Sequence, residues 1–174
     1  MVRAALGPPR GKIGRGPSPF AAYLPAATVV AASFLSALPI VSTSGWYPNF
    51  GFLVLISWRL LRADPWPPWW AAPLGFVNDL FTGYPLGLSV ALWSATMLAL
   101  DLIDRRTMWR DYWIEWVLAT VLIAIDQGLQ WRVAAAAGAA PEIPRMAPPL
   151  IISICVFPVF AWLISRIDAW RLGR

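Results

Sequence analysis

The run from Gly75 to Ser89, GFVNDLFTGYPLGLS, is the feature that most limits how this chain can fold. It is mostly apolar, yet Asn78 and Asp79 stand side by side within it. An acid is costly inside a hydrocarbon layer, so it normally faces protein or water. Glycine and proline then alternate at positions 83, 85 and 87, and they end the helix because proline lacks an N–H and glycine supplies unusual backbone angles. The run therefore predicts a helical hairpin with a tight, nearly uncharged turn.

The composition places this hairpin in a membrane. Of the 174 residues, 59% are hydrophobic and 13% are charged, whereas a soluble domain is about half apolar and about a quarter charged. Mean hydropathy is +0.60. We therefore expect one integral membrane domain with too little polar sequence for a second, soluble domain.

The residue types present exclude several kinds of chemistry. The chain has no histidine and one cysteine, so it cannot form a Ser-His-Asp site, a histidine-ligated metal site or an internal disulfide. Its glycines lack the following Lys and Ser/Thr of a phosphate-binding loop. We expect no metal, no cofactor and no enzymatic activity.

Six apolar segments predict an all-α membrane protein with six transmembrane helices in one bundle. A basic tail at 1–18, expected to be disordered, precedes a transmembrane domain at 19–168, and a short basic tail follows at 169–174. The third segment is short, so both a full crossing and a re-entrant segment remain open. The segments cover roughly residues 20–40, 47–61, 69–81, 86–103, 113–133 and 149–167.

The positive charges predict the orientation of these segments. Of the 14 Lys and Arg residues, all but Arg132 and Arg145 lie in the two tails, at the C-terminal end of the sixth segment, or near the second-to-third and fourth-to-fifth connections. Six spans with both termini in the cytoplasm place that majority inside, as the positive-inside rule requires. The net charge of +5 is thus a topology signal, and we expect membrane lipid rather than nucleic acid as a partner.

Asp79 is the first candidate site residue, and three interpretations of it remain open. It could stabilise the bundle through hydrogen bonds to Asn78, Thr82, Gln127 or backbone freed near Pro73. It could instead bind a partner's transmembrane helix, or line a polar cavity that relays protons. If its role is structural, we expect Asp79→Asn to be tolerated, and a valine at a turn glycine to be more harmful.

A second polar cluster, formed by Asp126, Gln127 and Gln130, lies in the fifth segment. Asp126 and Gln130 are four residues apart and share one helix face. Such a stripe usually joins helices by hydrogen bonds, although it could also face the third segment and share a proton with Asp79.

Acidic residues flank the arginines of the fourth-to-fifth loop. They predict surface ion pairs at the cytoplasmic interface, and a docking patch for a cytoplasmic partner is the alternative. These residues are Asp101, Asp104, Asp111 and Glu115.

The hairpin motif, Gly75-x-x-x-Asp79-Leu80 followed by Gly83-x-Pro85-Leu86-Gly87, resembles that of the MreD family of bacterial rod-shape proteins. It follows an apolar segment that ends in SWRLLR and a connector rich in proline and tryptophan. Length, number of spans and topology also fit, so the resemblance covers roughly residues 45–165. The tail at 1–18 departs from the family pattern, and the Asp126 cluster matches no motif of the family.

The resemblance implies a non-enzymatic scaffold in the bacterial inner membrane, needed for rod shape and directed lateral peptidoglycan synthesis. It implies direct binding of MreC and links, through the wider elongation complex, to MreB, RodA and a class B penicillin-binding transpeptidase. The fold is also similar to the substrate-binding components of energy-coupling-factor vitamin transporters. A vitamin-binding membrane subunit is therefore the alternative function.

Overall fold

The computed structural model describes residues 19–38, 48–62, 67–104, 112–138 and 142–171, and within them the chain is all-helical. The predicted all-α class is confirmed for this part of the chain. The basic tail at 1–18, Asp111 and the loop arginines at 105, 106 and 110 lie outside the described residues. The helices are α1 (Pro19–Ser36), α2 (Phe50–Leu61), α3 (Ala71–Thr82), α4 (Leu88–Asp104), α5 (Tyr112–Ala136) and α6 (Ile143–Arg171), with a short 3-10 turn (Pro68–Trp70) before α3.

The last helix is longer than its apolar pattern predicts. It begins at Ile143 and continues to Arg171, so it starts before the predicted sixth segment at 149–167 and extends into the predicted tail at 169–174. Pro158 lies inside it and has no N–H to donate to the carbonyl of Ile154. The indole Nε1 of Trp116 on α5 donates to that oxygen instead, at 3.4 Å. A neighbouring helix thus supplies the hydrogen bond that the proline removes.

The second helix forms the centre of the bundle. All ten residues from Gly51 to Leu60 are buried, because α1, α4, α5 and α6 pack around it. The Asn49 side chain caps its start by accepting a hydrogen bond from the Phe52 N–H at 3.2 Å. Trp58, fully buried, donates from Nε1 to Thr28 Oγ1 on α1 at 2.8 Å. This short helix is therefore held by protein on every side.

The hairpin helices α3 and α4 pack most closely against each other, and α3 also packs on α1. The fifth helix contacts α6 more than any other element. Its outer side carries a stripe of large apolar residues with a four-residue spacing, so they share one face. That face consists of Trp113, Val117, Val121, Ile125 and Leu129, each between 44% and 70% exposed.

Two helices within the described residues are long and apolar enough to cross a membrane: α5 and the Met146–Arg171 part of α6. Only 22% and 17% of their apolar windows are buried inside the protein. The core helix of a soluble protein would be mostly buried, whereas these two expose most of their apolar surface. Their length and exposure are those expected of helices in contact with lipid.

Candidate functional site

The turn between α3 and α4 is built from the glycines and proline that the motif contains. Gly83 ends α3 with a left-handed φ of +71°. The Leu88 N–H donates to the Pro85 carbonyl at 3.0 Å and closes a β-turn. Gly87, the third residue of that turn, has a φ of +97°, and this is the position at which a type II turn requires glycine. Leu86, at the tip, is 67% exposed.

Asp79 lies beneath this turn with only 1% of its surface exposed. Its Oδ2 accepts a hydrogen bond from the Gly87 N–H at 2.8 Å, and its Oδ1 accepts one from the Ser89 N–H at 2.9 Å. Gly87 directly precedes α4 and Ser89 lies in its first turn, where the helix itself supplies no acceptor for the N–H groups. A carboxylate at this end also interacts favourably with the helix dipole. Asp79 thus caps the helix that follows its own.

The partners of Asp79 differ from those expected from the sequence. Thr82 donates from Oγ1 to the backbone carbonyl of Asn78 at 2.8 Å, and Gln127 bonds to α6. The expected bonds from these side chains, and from backbone near Pro73, are wrong because the N–H groups of Gly87 and Ser89, at the start of α4, bind both carboxylate oxygens. The structure also predicts a cost for Asp79→Asn where the sequence predicts tolerance, since an asparagine offers one acceptor oxygen where two donors converge.

Asn78 joins the hairpin to the centre of the bundle. It is fully buried, and its Nδ2 donates to Ser89 Oγ at 3.0 Å. Its Oδ1 accepts no hydrogen bond within the described residues and lies beside Gly51 of α2. A Cβ on Gly51 would stand 2.9 Å from that oxygen and too close to Ser33 Oγ. The helices α1, α2, α3 and α4 therefore come together around Gly51, because this residue has no side chain to hold them apart.

Gly75 allows the two helices of the hairpin to approach. A Cβ added there would lie 2.7 Å from the Ser89 carbonyl oxygen and 2.8 Å from the Val90 nitrogen. Both atoms are backbone, so neither can move aside without shifting α4. The glycine thus brings the Asp79 carboxylate within reach of the α4 N–H groups.

The side chains of the Asp126 cluster form two separate sets of hydrogen bonds, one within α5 and one to α6. Asp126, 2% exposed, accepts at Oδ2 from Gln130 Nε2 at 2.7 Å, and its Oδ1 has no hydrogen-bond partner among the described residues. Gln127 instead donates from Nε2 to Ser153 Oγ at 3.0 Å. Gln127 therefore links α5 to α6, which agrees with the helix-joining interpretation.

Asp126 also lies near the hairpin turn. Partial burial raises the pKa of the Tyr84 phenol above its usual value, and the neighbouring Asp126 carboxylate raises it further. The sharing of a proton between Asp126 and Asp79 is not supported, because both oxygens of Asp79 are occupied by backbone N–H groups.

An ion-pair network joins the ends of three helices. Arg59 of α2, with 4% of its side chain exposed, lies 2.7 Å from Asp104 and 3.6 Å from Asp101 on α4. Arg62 contacts Asp168 of α6 at 2.7 Å, and Arg171 contacts the same carboxylate at 2.9 Å. Asp101 and Asp104 thus form ion pairs with a buried arginine of α2, whereas the predicted surface pairs with the loop arginines at 105, 106 and 110 fall outside the described residues.

Two residues of this architecture were missed in the sequence. Gly51 is the one glycine in the second apolar segment, which is a signal for close helix approach. Arg59 lies two residues before the end of that segment, where the sequence indicates only a charge that sets topology. Its spacing from Arg62 does not reveal that one side chain turns inward to α4.

Together these features define an all-helical protein with exposed apolar helices and a capped hairpin. No family model matches the chain, and neither a curated protein nor a solved structure matches it. The hairpin and its contacts are thus the features from which a function can be inferred.

Proposed function

We propose that this chain is a six-span protein of the bacterial inner membrane that acts as a non-enzymatic scaffold of the cell-elongation machinery. Both termini lie in the cytoplasm. The protein binds MreC directly and through the complex is linked to MreB, RodA and a class B penicillin-binding transpeptidase. Its contribution is rod shape through directed lateral peptidoglycan synthesis.

The observation that carries this proposal is the pair of backbone hydrogen bonds that the Asp79 carboxylate accepts. In the motif that resembles the MreD family, both oxygens of Asp79 accept hydrogen bonds from backbone N–H groups at the start of α4. A general acid or base needs a proton position that a substrate can reach, and Asp79 is 1% exposed. The motif therefore supports a role in shaping a hairpin rather than in chemistry.

The ion-pair network supports the six-span topology. Arg59, Asp104 and Asp168 all lie near the C-terminal ends of α2, α4 and α6. Six alternating spans place the C-terminal ends of all even-numbered helices on one side, which is where these charges meet. The twelve residues of α2 give a length of only about 18 Å, less than the hydrocarbon thickness. A helix enclosed by protein does not need to match that thickness.

The alternative, a vitamin-binding subunit, needs a cavity of a few hundred cubic ångströms. The cavity between α2, α5 and α6, lined in part by Ser57, Glu115 and Phe157, measures about 40 Å³. That volume suits one water molecule. This cavity therefore does not favour the alternative.

The proposal is tested by purifying the tagged chain in mild detergent from a rod-shaped host. We expect MreC to co-purify, and depletion of the chain to give wide or round cells that still make peptidoglycan at division. An ATPase module or a retained vitamin in the purified sample, with normal cell shape after depletion, would establish the transporter subunit instead.

A further inference from the structure

Arg166 differs from the other described arginines at its end of the bundle. Arg59, Arg62 and Arg171 each form an ion pair with an aspartate. Arg166 is exposed, and its guanidinium lies over the ring of Trp162, 5.5 Å from the ring centre. Stacking on an aromatic ring orients the guanidinium but leaves its N–H donors available to an anion.

Below Arg166, the same face of α6 is apolar and exposed. A four-residue or three-residue spacing places its members on one side of the helix. A rise of about 1.5 Å per residue puts Cys155 about 16 Å from Arg166, which is about half of the hydrocarbon thickness. The face consists of Ile151, Cys155, Val159 and Trp162, and Trp170, 76% exposed, continues it beyond Arg166.

We propose that Arg166, Trp162 and the apolar stripe below them form a binding site for one anionic phospholipid. The lipid phosphate binds the guanidinium, because a planar fork of N–H donors suits phosphate oxygens. One acyl chain lies along Trp162, Val159 and Cys155 towards the centre of the bilayer. A free phosphate would use only the first of these contacts, so the arrangement fits a lipid.

The site rests on the proposed membrane location of the chain, and it goes beyond the scaffold function. Its test is separate, because lipid retention is measured on the purified chain and does not involve MreC. Loss of MreC binding with lipid retention intact would count against the scaffold alone.

The test is native mass spectrometry of the full chain in detergent, titrated with phosphatidylglycerol or with phosphatidylethanolamine. We expect a phosphatidylglycerol adduct whose dissociation constant rises about tenfold in Arg166→Gln, as loss of one charge-assisted contact predicts. Arg166→Lys keeps the charge but loses the fork and should weaken binding less. Arg132→Gln removes an exposed arginine from α5 and should leave the adduct unchanged.

Three binding results would each overturn the site. They are equal phosphatidylglycerol binding by the unaltered chain and Arg166→Gln, equal binding of phosphatidylethanolamine, and displacement of the lipid by inorganic phosphate. Because Arg166 is exposed, its replacement should not change the thermal midpoint in detergent. A lowered midpoint together with lost lipid would assign Arg166 to folding and would also overturn the site.

Discussion

The carboxylate of Asp79 caps a helix that begins nine residues later: its Oδ1 lies 2.9 Å from the backbone nitrogen of Ser89. In most helices the capping side chain comes from the residue just before the first turn. Here that place is taken by Gly87, which has no side chain and lies in a turn with positive φ. The preceding helix therefore supplies the cap, and the turn, the cap and the helix contact depend on one another.

Replacing Asp79 by asparagine should destabilise the protein. One backbone N–H at the start of α4 would face an NH2 group, and we expect a loss of about 1.5–3 kcal/mol in the free energy of unfolding, as for a charge-assisted hydrogen bond. Unfolding in mixed detergent micelles measures this. Arg132→Gln, which removes an exposed charge from α5, is the control and should be silent. Equal stability of Asp79→Asn and the unaltered chain would show that the cap is unimportant.

Gly75→Ala should separate the two helices of the hairpin. The added methyl group would meet backbone of Ser89 and Val90 at 2.7–2.8 Å, and overpacking of this kind costs about 1–3 kcal/mol. Gly128→Ala is a matched control, because a Cβ there meets nothing within 4 Å and alanine favours the helix. We expect a lower thermal midpoint for the first variant only. A midpoint lowered equally in both would refute the close approach.

Arg59→Gln should destabilise the bundle strongly. It leaves Asp101 and Asp104 without the buried guanidinium, and breaking a buried ion pair by removing one partner costs about 3–5 kcal/mol. Membrane abundance and the unfolding midpoint measure the effect, with the exposed Arg132→Gln as the control. Replacing both Asp101 and Asp104 by asparagine in the Arg59→Gln background should restore part of the loss, because it removes the negative charges that the guanidinium had balanced. If these replacements do not restore stability, the remaining aspartate charges are not the cause of the destabilisation.

Reporter fusions test the six-span topology. Fusions at Gly16, Ala63, Thr107 and Gly173 should report the cytoplasm, and those at Ser44, Gly83 and Gly138 the periplasm. The decisive position is the hairpin turn at Gly83. A cytoplasmic signal there would show that α3 re-enters the membrane instead of crossing it, and the six-span count would fail.

Much of the helical order followed from the sequence. Apolar segments separated by charge or by proline predicted α2, α3, α4 and α5 to within about three residues, because burial in lipid or protein demands continuous apolar stretches. The extent of α6 did not follow, since its prolines suggested breaks. The Ile154 carbonyl freed by Pro158 is bonded by Trp116 of another helix, and no local pattern records such a contact.

The sequence by itself determined that the hairpin turns where glycine and proline alternate, because only those residues fix or permit the required backbone angles. It also determined that the Asp79 carboxylate needs polar partners, because it lies within an apolar run. Only the tertiary structure decided which groups are those partners. A side chain's partners depend on how closely two helices approach. Here Gly75 and Gly51 allow the close approach because neither residue has a Cβ atom. The inward turn of Arg59 was likewise decided by the position of Asp101 and Asp104 on α4, which sequence separation alone does not define.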